Sequence, residues 1–144
     1  MTVPVPETPQ ELEETPVYCI SFDRLAELNR SAVAVLAARR GPSCPSRLKP
    51  DHELNDPQEL VEEIAQYSAT EDGFIEPDMP IQEIVFRVLL SRKNQPTSLL
   101  DLHYELTERW ATPIRPINVS ASNLRRILDS DTYYGFARQV APGN

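Results

Sequence analysis

Apolar residues return at helical spacing in five stretches of the chain. In "SFDRLAELNRSAVAVLAARRG", Leu25, Leu28, Ala32, Val35 and Leu36 fall on one stripe, which predicts a helix from Phe22 to Arg40. Ser21 is placed to cap it, Asp23 and Glu27 suit its positive start, Arg39 and Arg40 its negative end, and Gly41 its stop. "DPQELVEEIAQYS" predicts a second helix, with Asp56 as cap, Pro57 at the first position, Glu59 closing a capping box, and Leu60, Val61, Ile64 and Ala65 inward. In "MPIQEIVFRVLLSRKN", Ile81, Ile84, Val85, Val88 and Leu89 share a face. "QPTSLLDLHYELTERW" starts at Ser98, with Asp101 three residues on, and lines its face with Leu99, Leu102, Leu106 and Trp110. In "SASNLRRIL", Ser120 caps a short helix that turns Ala121, Leu124, Ile127 and Leu128 inward.

Elsewhere the period changes. "VYCI" is a short apolar run, a strand or a lead-in to the first helix, and "DTYYGFARQV" alternates like a strand, with Tyr134, Phe136 and Val140 on one side. "GPSCPSRLKPDHELN", "ATEDGFIEPD" and "ATPIRPINV" are loops by their prolines and small polar residues. Residues 1–16 set Pro4, Pro6, Pro9 and Pro16 among Glu7, Glu11, Glu13 and Glu14, too little apolar surface to offset ordering, which predicts a disordered acidic tail. The chain thus divides into a tail (1–16), a helical N-terminal part (17–73) and a C-terminal module (74–144).

Composition narrows the function classes. The 144 residues are 40% hydrophobic and 25% charged, enough for a small core, and at 7% aromatic that core is mostly aliphatic. A net charge of −8 argues against a protein that coats polyanions indiscriminately. The charge is uneven: residues 1–78 carry 6 Lys/Arg against 16 Asp/Glu, and residues 79–144 carry 8 against 6. The C-terminal half is therefore the one that can face a polyanion. Cys19, Cys44 and His52 match no common zinc spacing, so two reduced thiols and no metal are expected. No basic-then-apolar leader opens the chain and no apolar run nears the ~20 residues that span a bilayer, which predicts a soluble, cytoplasmic protein with no membrane partner. The four glycines form no phosphate-cradling array. Glu62–Glu63 and Glu71–Asp72 read as solvated neighbours, and His103 as the partner of a neighbour such as Glu105 or Thr107. No catalytic centre, cofactor or small-molecule substrate is predicted.

The residues "MPIQEIVFRVLLSRKNQPTSLLDLHYEL" resemble the start of HARE-type helix-turn-helix domains, a winged-helix group. An apolar first helix is followed there by a small loop, a Pro-Thr/Ser step and a second amphipathic helix. The N-terminal domain of the RNA polymerase delta subunit is similar in the same way. The resemblance covers residues 79–140 and implies a non-enzymatic, DNA- or transcription-linked module. The expected fold is thus mainly α, a helical N-terminal part plus a C-terminal three-helix winged-helix-like module with a short β element. Two departures stand out. The link from Ala111 to Val119 exceeds the 3–4 residue turn of a tight helix-turn-helix. A full wing needs two strands and one is predicted; "IRPINV" could supply the other only at an edge, because of its prolines.

The outer face of the fifth helix carries Ser122, Asn123, Arg125 and Arg126, residue types that pair with guanine, adenine and phosphate. Arg115, Arg92, Lys93 and Arg138 are candidate phosphate contacts. Duplex DNA is accordingly one expected partner. The other is a protein: the acidic balance, the incomplete wing and the pair Tyr133–Tyr134 fit an adaptor or assembly subunit. The acidic first half could also lie over the basic face as an electrostatic lock.

Overall fold

The computed structural model describes residues 15–139. The expected tail lies outside them except for Thr15 and Pro16, and so does Val140. Pro16 belongs to the fold, not to a tail: it is buried and its carbonyl accepts the Leu99 N–H at 2.9 Å.

The protein is mainly helical, with a small antiparallel sheet of three strands. In chain order the elements are β1 (Val17–Ile20), α1 (Phe22–Glu27), α2 (Ala32–Ala37), α3 (Pro57–Gln66), α4 (Ile81–Ser91), β2 (Thr97–Ser98), α5 (Leu99–Tyr104), α6 (Ala121–Asp129) and β3 (Phe136–Arg138). Short 3-10 turns cover Pro45–Leu48, Asp51–Glu53 and Ser68–Thr70, and a π-helical segment, Glu105–Trp110, extends α5.

The single helix expected from Phe22 to Arg40 is two. Asn29 turns left-handed (φ 61°), and the N–H groups of Asn29 and Arg30 close back onto the carbonyls of Ala26 and Leu25, the paired bonds of a Schellman stop. Ser31 then caps α2 by accepting the Ala34 N–H. The chain bends here so that Leu25, Val35 and Leu36 can all reach the core. Gly41 stops nothing; it lies past the end of α2 and donates its N–H to Ser68 Oγ at 2.8 Å.

α3 begins as expected, with Asp56 accepting the Gln58 N–H behind Pro57, although among the described residues Glu59 makes no return bond. α4 is the central helix. Phe86 and Leu90, off the predicted stripe, are as buried as Ile84, Val85, Val88 and Leu89, because neighbours cover it on nearly every side. It too ends in a Schellman stop: Lys93 and Asn94 are both left-handed (φ 58° and 59°), and Asn94 N–H bonds Leu89 O at 2.8 Å. That turn aims the Asn94 amide at β1, where it accepts from Ile20 N and donates to Ile20 O, each at 2.8 Å. The amide thereby continues the ladder on the side where β2 has run out.

β1 is the middle strand, in the order β2–β1–β3. Val17 faces Ser98 and Tyr18 faces Thr97 on one edge; Tyr18, Cys19 and Ile20 face Arg138, Ala137 and Phe136 on the other. The strand expected over residues 131–140 is confined to Phe136–Arg138. Before it, the Asp131 carboxylate accepts the N–H groups of Tyr133, Tyr134, Gly135 and Phe136, which winds the chain into a turn.

The stretches 17–73 and 74–139 share one core. One continuous cluster holds Leu25 and Leu36 with Ile84 and Leu89, and Tyr18 and Ile20 with Leu99, Leu128 and Phe136. Glu83 of α4 joins the halves electrostatically, accepting from Arg39 (3.1 and 2.7 Å), Arg87 (2.7 Å) and the Tyr134 hydroxyl (3.0 Å). No helix among the described residues is long and apolar enough to cross a membrane.

Candidate nucleic-acid interface

α6 is built for one buried side. Ser120 caps it by accepting the Asn123 N–H at 3.0 Å, and Leu124 and Leu128, four apart, are sealed into the core. The opposite side leaves Ser122, Asn123, Arg125 and Arg126 exposed. Arg126 Nη1 donates to Asn123 Oδ1 at 3.2 Å, and Arg125 makes no hydrogen bond among the described residues. Ser122, Arg125 and Arg126, with Asp129 and Ser130 at their foot, line an open depression of about 380 Å³.

The linker that should have loosened a helix-turn-helix is pinned. Residues 111–119 end where Val119 O meets His103 Nε2 at 2.7 Å, one residue before the α6 cap. His103 thus serves the linker, not Glu105; Thr107 Oγ1 donates to the His103 carbonyl.

Asp129 gathers the last two elements onto β1. Arg138 donates to both its oxygens (3.0 and 2.6 Å) and the Tyr18 hydroxyl donates at 2.7 Å. The hydrogen bond from Arg138 holds the Asp129 carboxyl below its ordinary value, against the effect of its partial burial. Burial, reinforced by the bond to Asp129, pushes the Tyr18 hydroxyl up to about 12.

The eight predicted contact residues are therefore not one patch of equal members. Ser122, Asn123, Arg125 and Arg126 are together on α6. Arg138 is joined to that helix through Asp129, which takes up its charge. Arg92 is spent on the buried Glu105 (2.9 Å), and Lys93 stands 3.9 Å from Glu62. Arg115 is exposed on the linker and shares a shallow depression with Glu76 and Asp78. Cys19, Cys44 and His52 form no metal-holding group among the described residues: Cys19 Sγ bonds Gln139, Cys44 Sγ bonds Ser68, and His52 is exposed.

Sequence reasoning missed the surroundings of Glu105. The π turns carry its carboxylate inward to 5% exposure, where Arg92, Arg109 (3.3 Å) and Trp110 Nε1 (3.0 Å) all donate to it. The pair Glu105–Arg109, four apart, was visible as a helical ion pair; the Glu105–Trp110 contact spans five residues, the repeat of a π turn, and had no α-helical signature. No protein-family model, no curated protein and no solved structure matches the chain.

Proposed function

We propose that the protein binds duplex DNA through α6, as a winged-helix-like module. The observation that carries the reading is the exposed Ser122–Asn123–Arg125–Arg126 face, set on a helix anchored by Leu124 and Leu128. Neither arginine is ion-paired among the described residues, and no carboxylate of the first half reaches them. Nine residues of helix are roughly 13 Å long and fit a major groove. The order α4, β2, α5, α6, β3 supports the same reading. The strand beside β3 is β1, which precedes the other described elements and would stand in for the second strand of a wing.

Arg125 and Arg126 provide base or phosphate contacts, and Asn123, already aligned by Arg126, provides an adenine-type amide. Affinity should fall with salt at a logarithmic slope of about two, since Arg125 and Arg126 are the cations this face offers to phosphate. Fluorescence anisotropy of labelled random duplexes, run from roughly 50 to 200 mM salt, tests it. The double variant Arg125→Ala/Arg126→Ala should bind about 30- to 1,000-fold more weakly and lose about two from the salt slope. Absence of binding at the lowest salt, or an unaltered double variant, refutes the reading.

A second reading is contact with another protein. It rests on Leu100 and Tyr104, four apart on the outer side of α5 and 53% and 60% exposed, an apolar pair in water. Of the predicted tyrosine pair, only Tyr133 faces out, with the Arg30 guanidinium 3.8 Å above its ring.

A further inference from the structure

A cavity of about 190 Å³ lies between the loop after α3 and the π turns that follow α5. It exists because of those turns. An α-helix would stack Glu105 on Arg109 and carry Trp110 round to the side; the wider turn swings Trp110 above Glu105, where its indole N–H donates at 3.0 Å. Trp110 lines the gap together with Phe74 and Ile75, and the Arg109 guanidinium stands 5.1 Å from the centre of its ring. Phe74 and Ile75 are themselves buried, so the wall they form is fixed. The space is of the size of a single ring, and its lining is mixed, with Glu71, Asp72, Ser91, Glu105 and Arg109 beside the aromatic and aliphatic residues.

The polar part of the lining is unevenly paired. Glu105 has its charge met by Arg92 and Arg109. Glu71 accepts from the backbone N–H and the hydroxyl of Ser43. Asp72 is exposed and accepts no hydrogen bond among the described residues. Arg109, the cation in the lining, is turned onto both oxygens of Glu105. The unspent charge of the site is negative, and it stands at the edge of an aromatic and aliphatic wall.

We propose that this cavity binds a small aromatic cation, a single ring on a short chain ending in an ammonium. The ring lies against Trp110, Phe74 and Ile75, and the ammonium meets Asp72. This site is separate from the α6 face and stands whether or not DNA binds there. A ligand of about ten heavy atoms in such a site has a dissociation constant on the order of 100 µM.

Trp110 is the sole tryptophan, so its emission reports the cavity directly. Phenethylamine is titrated into the full chain at constant ionic strength, with phenylacetate as the equal-sized anion. The expected result is a saturable change in Trp110 emission with phenethylamine, at least about tenfold weaker with phenylacetate. Asp72→Asn should weaken phenethylamine about fivefold, the worth of one half-screened ion pair, and leave the urea midpoint in place because the Asp72 side chain bonds nothing among the described residues. No saturation by about 10 mM, equal binding of the anion, or full affinity in Asp72→Asn overturns the proposal.

Discussion

Replacing Glu83 by glutamine removes the charge that ties α2 and the turn before β3 to α4. Glu83 is 14% exposed, and the two guanidiniums that meet it, Arg39 and Arg87, are 12% and 20% exposed, so water screens little of the interaction. Burial alone would raise this carboxyl above its ordinary 4.5; the hydrogen bonds from Arg39 and then Arg87 outweigh it and hold the group at about 2. At about 1.4 kcal/mol per pH unit, that difference is worth about 3 kcal/mol at neutral pH. The cost of removing one partner from a buried pair, about 3–5 kcal/mol, leads to the same place by another route. Glutamine still accepts one hydrogen bond, which favours the lower end. Because the folded group titrates lower than the unfolded one, its contribution is complete above pH 4.5 and drains away as pH falls towards about 2. Urea unfolding followed by circular dichroism should show Glu83→Gln less stable by about 3 kcal/mol at neutral pH, with a flatter decline between about pH 5 and 2. A loss under about 1 kcal/mol, or parallel acid profiles for the two proteins, would refute the argument.

Two further substitutions probe the joints around β1. Gly135 has φ +83°, and a Cβ there would stand 2.7 Å from Leu25 Cγ and 3.2 Å from Ser21 O; Gly135→Ala should cost about 2–4 kcal/mol in urea unfolding, and a neutral result would mean the α1–β3 junction yields easily. Asn94→Ala removes both bonds to Ile20 and puts alanine at φ 59°, so a loss of about 2–3 kcal/mol is expected, together with faster hydrogen exchange at the Ile20 amide. Unchanged exchange there would show that the side-chain amide does not protect β1.

The helix starts were legible because a cap is a local device. Ser21, Asp56, Ser98 and Ser120 each accept a backbone N–H two or three residues on, as their positions before apolar runs implied. The break at Asn29 was hidden because the apolar stripe runs in phase across it; Leu25 and Val35 both point inward, so periodicity alone reports one helix. The Asn-Arg-Ser step, a left-handed stop followed by a cap, was the clue available. The sheet was legible only in part. "VYCI" has the alternation of a half-buried strand, but its partners lie some 80 and 118 residues away, and no local pattern encodes such pairing. The exposed side of α6 could be read directly, since amphipathicity fixes which residues face water. The surroundings of Glu105 could not, because they depend on one turn of helix taking a different repeat.

The central place of β1 in the sheet also sets an order of events for the chain as it is made. Its first strand leaves the ribosome well before β2 and over a hundred residues before β3. At about 5–20 residues per second, that interval is on the order of ten seconds. Until β2 follows, Tyr18 and Ile20, later sealed in the core, sit on a strand with neither edge paired, and the edge that β3 takes stays open for the whole interval. Pairing across so long a loop is expected to come late, after the local contacts among α3 to α6. The nascent helical body would thus stand as a cleft waiting for β1 to return.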